Sequence, residues 1–214
     1  MAKQKYPIKV SPAGTLKYPR LFKPDTKFKA EGEYSTKLLV PEEEAKPFIE
    51  ELMAIHKEEY AKACAANKKK ALKQAPLPWK PEVNDDGEET GNIEFKTSLK
   101  AKVTPKKGDP FEQRPQVIDA KKHKVPASTR VGGGTKAKIA MEVYPWFTAA
   151  LGFGITLRLK AVQILELSEY EAGGAASMFS EEDGFESEPS GDEGDTTGEE
   201  FDGKVAGEKT GADF

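Results

Sequence analysis

The chain has 214 residues, 37% hydrophobic and 32% charged, which suits one folded domain plus a polar segment better than a core running the whole length. Its net charge of −3 conceals a division: residues 181–214 hold 13 acids against Lys204 and Lys209, a net of −11, while the other 180 residues carry 31 basic against 23 acidic side chains, a net of +8. The lone cysteine, Cys64, excludes a disulfide framework and a cysteine-rich metal site; with no apolar segment after the basic start and no run of membrane-span length, the expectation is a soluble intracellular protein.

Residues 1–30 set Tyr6, Tyr18 and Phe22 among lysines and Arg20 without clear periodicity, which predicts an extended arm with one strand near residues 14–21. Residues 34–40 alternate, with Tyr34, Thr36, Leu38 and Val40 on one side, and Pro41 ends the strand. The period then changes. Pro41-Glu42-Glu43-Glu44 is a helix start, with proline near the first turn and acids where the helix dipole favours them. Ala45, Phe48, Ile49, Leu52, Ile55, His56, Tyr60 and Cys64 follow at spacings of three and four, so the helix runs to about Asn67 with this stripe on the sheet. His56 sits on the apolar stripe and reads as a packed residue before a catalytic one. Lys68, Lys69, Lys70 and Lys73 at the helix end suit either solvation or nucleic-acid contact.

Residues 75–81 are too proline-rich for a helix or central strand and lead into a polar turn, Asn84-Asp85-Asp86-Gly87. A strand over residues 92–103 follows. Ile93, Phe95, Thr97, Leu99, Ala101 and Val103 form its inward set, and Glu94, Lys96, Ser98, Lys100 and Lys102 its outward, basic one. Lys106 to Pro110 and Lys121 to Lys124 are turns, with a short strand over residues 116–120 between them.

Three glycines, Gly132 to Gly134, open a second strand-rich stretch. Ala137, Ile139, Met141 and Val143 share one face, and Lys136, Lys138, Glu142 and Tyr144 the other. Tyr144-Pro145-Trp146-Phe147 contains a proline that cannot donate to a ladder, which places these aromatics at a strand end or in a loop. Beyond Gly154, Ile155, Leu157, Leu159 and Ala161 face inward and Thr156, Arg158 and Lys160 outward, until Val162 and Ile164 reverse the phase; a bulge near Ala161 is expected. Several short strands with one early helix form the pattern of a small Greek-key barrel. From Gly173 the apolar periodicity is lost, so residues 1–172 are expected to fold and 173–214 to form a disordered acidic tail, with Asp213 and Phe214 as a docking tip.

Gly132-Gly133-Gly134-Thr135-Lys136 is not a phosphate-binding P-loop, because Thr precedes Lys and a strand follows; a turn or a close backbone approach fits better. With only His56 and His123, a histidine-based site has little material, and Asp85-Asp86 and Glu88-Glu89 read as solvated turn acids. No cofactor or metal is expected. What remains is cationic and aromatic: Lys96, Lys100, Lys102, Lys136, Lys138, Arg158 and Lys160, with Tyr144, Trp146 and Phe147 beside them. Cationic grooves hold phosphates and aromatic faces stack on unpaired bases, which favours nucleic-acid binding over a merely solvated face.

Taken together, Lys23-Pro24-Asp25, Leu38-Leu39-Val40-Pro41, His56-Lys57-Glu58-Glu59-Tyr60, Phe95-Lys96, the run from Gly132 to Lys138, and Pro145-Trp146 leading to residues 157–167 resemble the tailed-bacteriophage single-stranded DNA-binding proteins. The resemblance covers most of residues 20–172 and the terminal Phe214. It implies an OB-fold, a five-stranded Greek-key barrel, with one inserted helix and an acidic tail ending in Phe. It also implies DNA contacts at Lys96, Trp146, Lys136 and Lys138, and a non-enzymatic role in phage DNA replication, recombination and repair. Homodimers, tail contacts to the phage DNA polymerase and helicase-primase, and a location in the cytoplasm of the infected bacterial host are implied as well. Glu31 and Ala140 stand where the family carries basic residues. An RNA-binding cold-shock-like module and, further off, a nuclease remain open from the residues alone.

Overall fold

The computed structural model describes residues 6–27, 29–105 and 108–168. The chain divides into two units, Met1–Gly173 and Gly174–Phe214; the second, with the expected tail disorder and the Asp213-Phe214 tip, lies outside the described residues.

In chain order the elements are β1 (Ile8–Val10), β2 (Gly14–Asp25), β3 (Glu33–Pro41), α1 (Glu42–Ala66), β4 (Trp79–Val83), β5 (Glu89–Lys100), β6 (Lys102–Val103), β7 (Phe111–Glu112), β8 (Gln116–Ile118), β9 (Lys136–Thr148) and β10 (Gly152–Glu166). Five strands close a ring: β2 pairs β3, β3 pairs β5, β5 pairs β10, β10 pairs β9, and β9 returns to β2. Every junction in the ring is antiparallel except β5 with β10. Counted along the chain, the ring visits its first, second, third, fifth and fourth strands, which is the OB-fold barrel.

Alternation builds the core as expected. Tyr34, Thr36, Leu38 and Val40 of β3, Ile93, Phe95, Thr97 and Leu99 of β5, and Ala137, Ile139, Met141 and Val143 of β9 are all buried. Each large aliphatic side chain so enclosed contributes roughly 1.5–3 kcal/mol. The buried Thr97 hydroxyl is satisfied by donating to the Thr36 carbonyl at 2.9 Å. α1 covers the barrel with Ala45, Phe48, Leu52, His56 and Cys64, and Phe48 meets Phe95 edge-on at 5.5 Å. His56 is a packed residue: its ring lies 5.1 Å from Phe153, its Nε2 has no hydrogen-bond partner among the described residues, and burial lowers its pKa from the ordinary 6.5.

Four features depart from the sequence pattern. β9 runs through Pro145 instead of ending there. The Val143 amide donates outward to the Pro7 carbonyl at 2.9 Å, and Pro145, two residues on, turns its nitrogen to that same side, away from β10, so the proline removes no donor from the β9–β10 ladder. The proline-rich stretch yields an edge strand, β4, against β5. The strand expected over residues 92–103 breaks at Ala101, whose amide bonds the Gly32 carbonyl; beyond it, β6 leaves the barrel to form a ribbon with β7. Finally, β2 is longer than expected and carries a register shift between Lys17 and Arg20. The expected bulge in β10 is present, with Lys160 left unpaired between Leu159 and Ala161.

Candidate nucleic-acid interface

The register of the barrel sets outward side chains into two belts. One runs Lys17, Lys37, Lys96 across β2, β3 and β5, and continues through Thr156 of β10 to Tyr144 of β9. The next runs Arg20, Ser35, Ser98, Arg158, Glu142 over the same strands. Both cross the face of the second and third barrel strands, where OB-folds hold oligonucleotides.

Over the β5–β10 junction the belts form a cleft of about 390 Å³, walled on one side by Val103 and Phe111 of the β6–β7 ribbon. Four expected residues, Lys100, Tyr144, Trp146 and Arg158, meet here with Ser98, Gln113 and Thr156. Trp146 lies opposite Gly154, and its ring occupies the space a side chain there would take: a Cβ on Gly154 would fall 2.5 Å from the ring's Cζ2. The indole N–H donates to the Thr156 hydroxyl at 3.0 Å, so the ring is held flat and half-exposed. The Arg158 guanidinium sits over Tyr144, 3.2 Å from the ring centroid, and donates to Glu142 at 3.5 Å. Tyr6 closes edge-on against Tyr144 at 4.9 Å; burial first, then the neighbouring Tyr144, raises its hydroxyl pKa above the ordinary 10.0.

The other expected residues are placed differently. Lys96 is exposed on the first belt and makes no ion pair among the described residues. Lys136 and Lys138 face outward at the far end of the β9–β10 hairpin, Lys136 paired with Glu166 at 2.9 Å and Lys138 opposite Gln163. Lys160 occupies the bulge. Lys102 lies off the barrel on the ribbon, paired with Glu112 at 3.3 Å, so it does not extend the β5 stripe. Phe147 lies opposite the buried Phe153 and so on the other face from Trp146, at the exposed hairpin end. Glu31 binds Lys100 at 3.3 Å, and Ala140 lies opposite Ala161.

Sequence reasoning missed Lys17, Lys37 and the ribbon's Phe111 and Gln113. Lys37 was legible as the outward neighbour of buried Thr36 and Leu38; Phe111 and Gln113 carried no periodic signal. It also missed the acids under the first belt. Glu82, buried, accepts from Lys17 at 3.0 Å, Thr90 at 2.7 Å and Asn92 at 3.1 Å, and buried Glu94 accepts from Lys37 at 3.0 Å. Burial pushes the Glu82 carboxyl up, but the three hydrogen bonds outweigh it and its pKa falls below the ordinary value; the bond to Glu82 raises that of Lys17. Among the described residues no three His, Cys, Asp or Glu side chains cluster as a metal site, and no helix is long and apolar enough to cross a membrane.

Residues 12–167 match the family described as "Single-stranded DNA-binding protein, Bacteriophage T7". The chain belongs to this family. Among curated relatives, the single-stranded DNA-binding protein of Escherichia phage T7 is 28% identical over 158 residues, 66% of this chain and 65% of that one. The same-named protein of Enterobacteria phage T3 is 29% identical over 147 residues, 64% of this chain and 62% of its own. The matches thus span a little under two thirds of these relatives. In fold the chain is similar to gp2.5, the single-stranded DNA-binding protein of bacteriophage T7, with a TM-score of 0.65 at 24% identity, covering 86% of this chain and 100% of that one. It is similar as well to the single-stranded DNA-binding protein of bacteriophage Enc34 in complex with ssDNA, with a TM-score of 0.55 at 18% identity, covering 76% and 88%.

Proposed function

We propose that the chain binds single-stranded DNA without sequence preference, through the outer face of β2, β3, β5, β10 and β9, and acts by coating DNA instead of catalysing a reaction. The observation that carries this is the cleft in which Trp146 and Tyr144, each fixed by a neighbouring side chain, stand next to Lys100, Arg158 and the Lys17–Lys37–Lys96 belt. Flat rings take bases of any identity and the cations follow the backbone. In a bacteriophage setting, and with relatives named as single-stranded DNA-binding proteins, this reading extends to protection of DNA during replication, recombination and repair in the cytoplasm of the infected bacterium. It includes a homodimer and recruitment of the phage polymerase and helicase-primase by Asp213 and Phe214. The division of charge, +8 on the first 180 residues and −11 on the last 34, supports a further part of the proposal. A tethered polyanion meets the cationic face at high effective concentration and competes with DNA, less so as salt rises.

The test titrates the full chain with labelled oligo-dT, oligo-rU and duplex at several salt concentrations, with and without Mg²⁺. Tight binding of oligo-dT over duplex, with no new products, supports the reading; preference for RNA or Mg²⁺-dependent cleavage overturns it. Truncation after Gly174 is expected to tighten DNA binding at low salt and to abolish capture of the polymerase. Deletion of Phe214 alone keeps DNA affinity and loses that capture.

A further inference from the structure

At the register shift between Lys17 and Arg20, β2 has two residues, Tyr18 and Pro19, where β3 has only Thr36. The slip is visible in burial: Leu16 and Leu21, five apart, both point inward, so one residue between them is extra to the alternation. Tyr18 takes that position with φ of 52°, a left-handed conformation that glycine ordinarily supplies in such bulges. It is also 67% exposed, so the core gains little from the ring. A bulge re-aims a side chain, and here it sets Tyr18 onto the first belt. The ammonium of Lys17, the preceding residue on β2, lies 5.8 Å from the ring centroid and that of Lys37, across on β3, 5.7 Å. Neither lysine is loose: Glu82 holds one and Glu94 the other, both buried beneath.

We infer that Tyr18 is a second base-stacking platform, at the opposite end of the Lys17–Lys37–Lys96 belt from Tyr144 and Trp146, and that Glu82 and Glu94 are positioning residues fixing the lysines beside it. The inference rests on the proposed binding of single-stranded DNA and extends its path around the barrel. With strands about 4.8 Å apart, the four steps from β2 to β9 make the belt about 19 Å long, measured around the barrel. A strand laid along it places one base at each aromatic end and phosphates over the lysines between. The occupant is an unpaired nucleic-acid strand, because an exposed ring beside two fixed ammonium groups offers a π-face and cations together, which is what a base and its phosphate require. The αL backbone in an exposed aromatic is a local cost that the fold could shed by carrying glycine there.

The experiment compares Tyr18→Gly, Tyr18→Phe and the unaltered full chain, measuring melting temperature and affinity for a length series of labelled oligo-dT across salt, with Trp146→Ala alongside. Tyr18→Gly keeps or raises the melting temperature yet weakens binding of the longer oligonucleotides about 5- to 150-fold, the equivalent of 1–3 kcal/mol per stacked base. Tyr18→Phe binds as the unaltered chain does. The slope of log affinity against log salt is unchanged in both, because no phosphate contact is removed. If Tyr18→Gly bound every length normally while Trp146→Ala was weakened, the platform would be refuted and DNA binding would stand. If the unaltered chain bound no oligonucleotide, both would fall.

Discussion

Gly154→Ala separates the binding role of Trp146 from its packing role. Gly154 lacks the positive φ that would strain an alanine, so the backbone accepts the change. The space does not: the new methyl carbon would lie 2.5 Å from Cζ2, 2.8 Å from Cε2 and 3.0 Å from Cη2 of Trp146. Carbon contacts are favourable near 3.5–4.0 Å, so the ring must lift by about 1 Å and its 3.0 Å hydrogen bond to Thr156 is lost. That bond contributes about 0.5–1.5 kcal/mol, and restricting the unfolded chain by Gly→Ala returns about 0.4–1 kcal/mol. Stability should therefore change by about 1 kcal/mol or less, a few degrees in melting temperature. Affinity for oligo-dT should fall by about 1–3 kcal/mol, because the platform is tilted off its seat. Paired thermal melts and fluorescence-anisotropy titrations at fixed salt read the two effects. Unchanged affinity, with indole fluorescence in a Trp79→Phe background confirming that the ring has moved, would refute the reasoning. So would a loss of more than about 10 °C in melting temperature, since Trp146 would then be chiefly structural.

Lys96→Gln should leave stability alone and flatten the slope of log affinity against log salt by about 0.7, weakening all sequences equally; an unmoved slope removes Lys96 from the phosphate path. For His56, whose pKa burial lowers, the unfolded chain takes up a proton that the folded chain refuses, so stability is full above pH 6.5 and falls as the pH drops below it, down to the folded-state pKa. Chemical denaturation between pH 7 and pH 5 should show this loss, with a slope of up to about 1.4 kcal/mol per pH unit, and His56→Phe should flatten it. Gly152→Ala should destabilise by roughly 1–3 kcal/mol or more, because Gly152 has φ of 87° and a side chain there would strike the Lys73 carbonyl; an unaltered melting temperature would contradict that geometry.

The barrel was legible wherever one face of a strand is apolar and the other charged. β3, β5 and β9 announce their inward sets, and the change of phase at Ala161 marked the β10 bulge, because a single extra residue exchanges the two faces. The same signal between Leu16 and Leu21 went unread, since the lysines, prolines and aromatics around it blur the alternation. Pro145 misled because local chemistry forbids a donor but does not say which edge the missing donor faces; the register of β9 between β1 and β10 decides that. Tyr144, Arg158 and Lys100 were found as outward residues of strands, and Trp146 as an aromatic expected at a strand end or in a loop. Lys102 was misplaced because parity was carried past a break at Ala101, and Phe147 because a strand end or loop, which imposes no faces, was expected where β9 continues. The buried Glu82 and Glu94 could not be read from sequence, since a carboxylate beneath a lysine looks the same there as one in solvent.

The two places where the ring closes are its narrowest. β5 meets β10 at Leu157–Thr97 and Arg158–Ser98 alone, and β2 meets β9 through Gly14 and Thr15 opposite Ala137 and Lys136, extended by backbone bonds between Leu16 and the Gly134–Thr135 segment. The β2–β3–β5 sheet and the β9–β10 hairpin are each knit by long antiparallel ladders. In folding, the two blocks can form first and the seams last, because residues far apart along the chain must find each other to close them. Amide exchange should accordingly be fast at the two seam amides, Ser98, of the same parity as Lys96 whose amide leaves the β3 ladder, and Leu157, opposite Val143 whose amide turns away from β10. Ser98 and Arg158 line the cleft over this seam, so a bound strand would bridge it and latch it, and slowed exchange at the seam amides would report occupancy from the backbone alone.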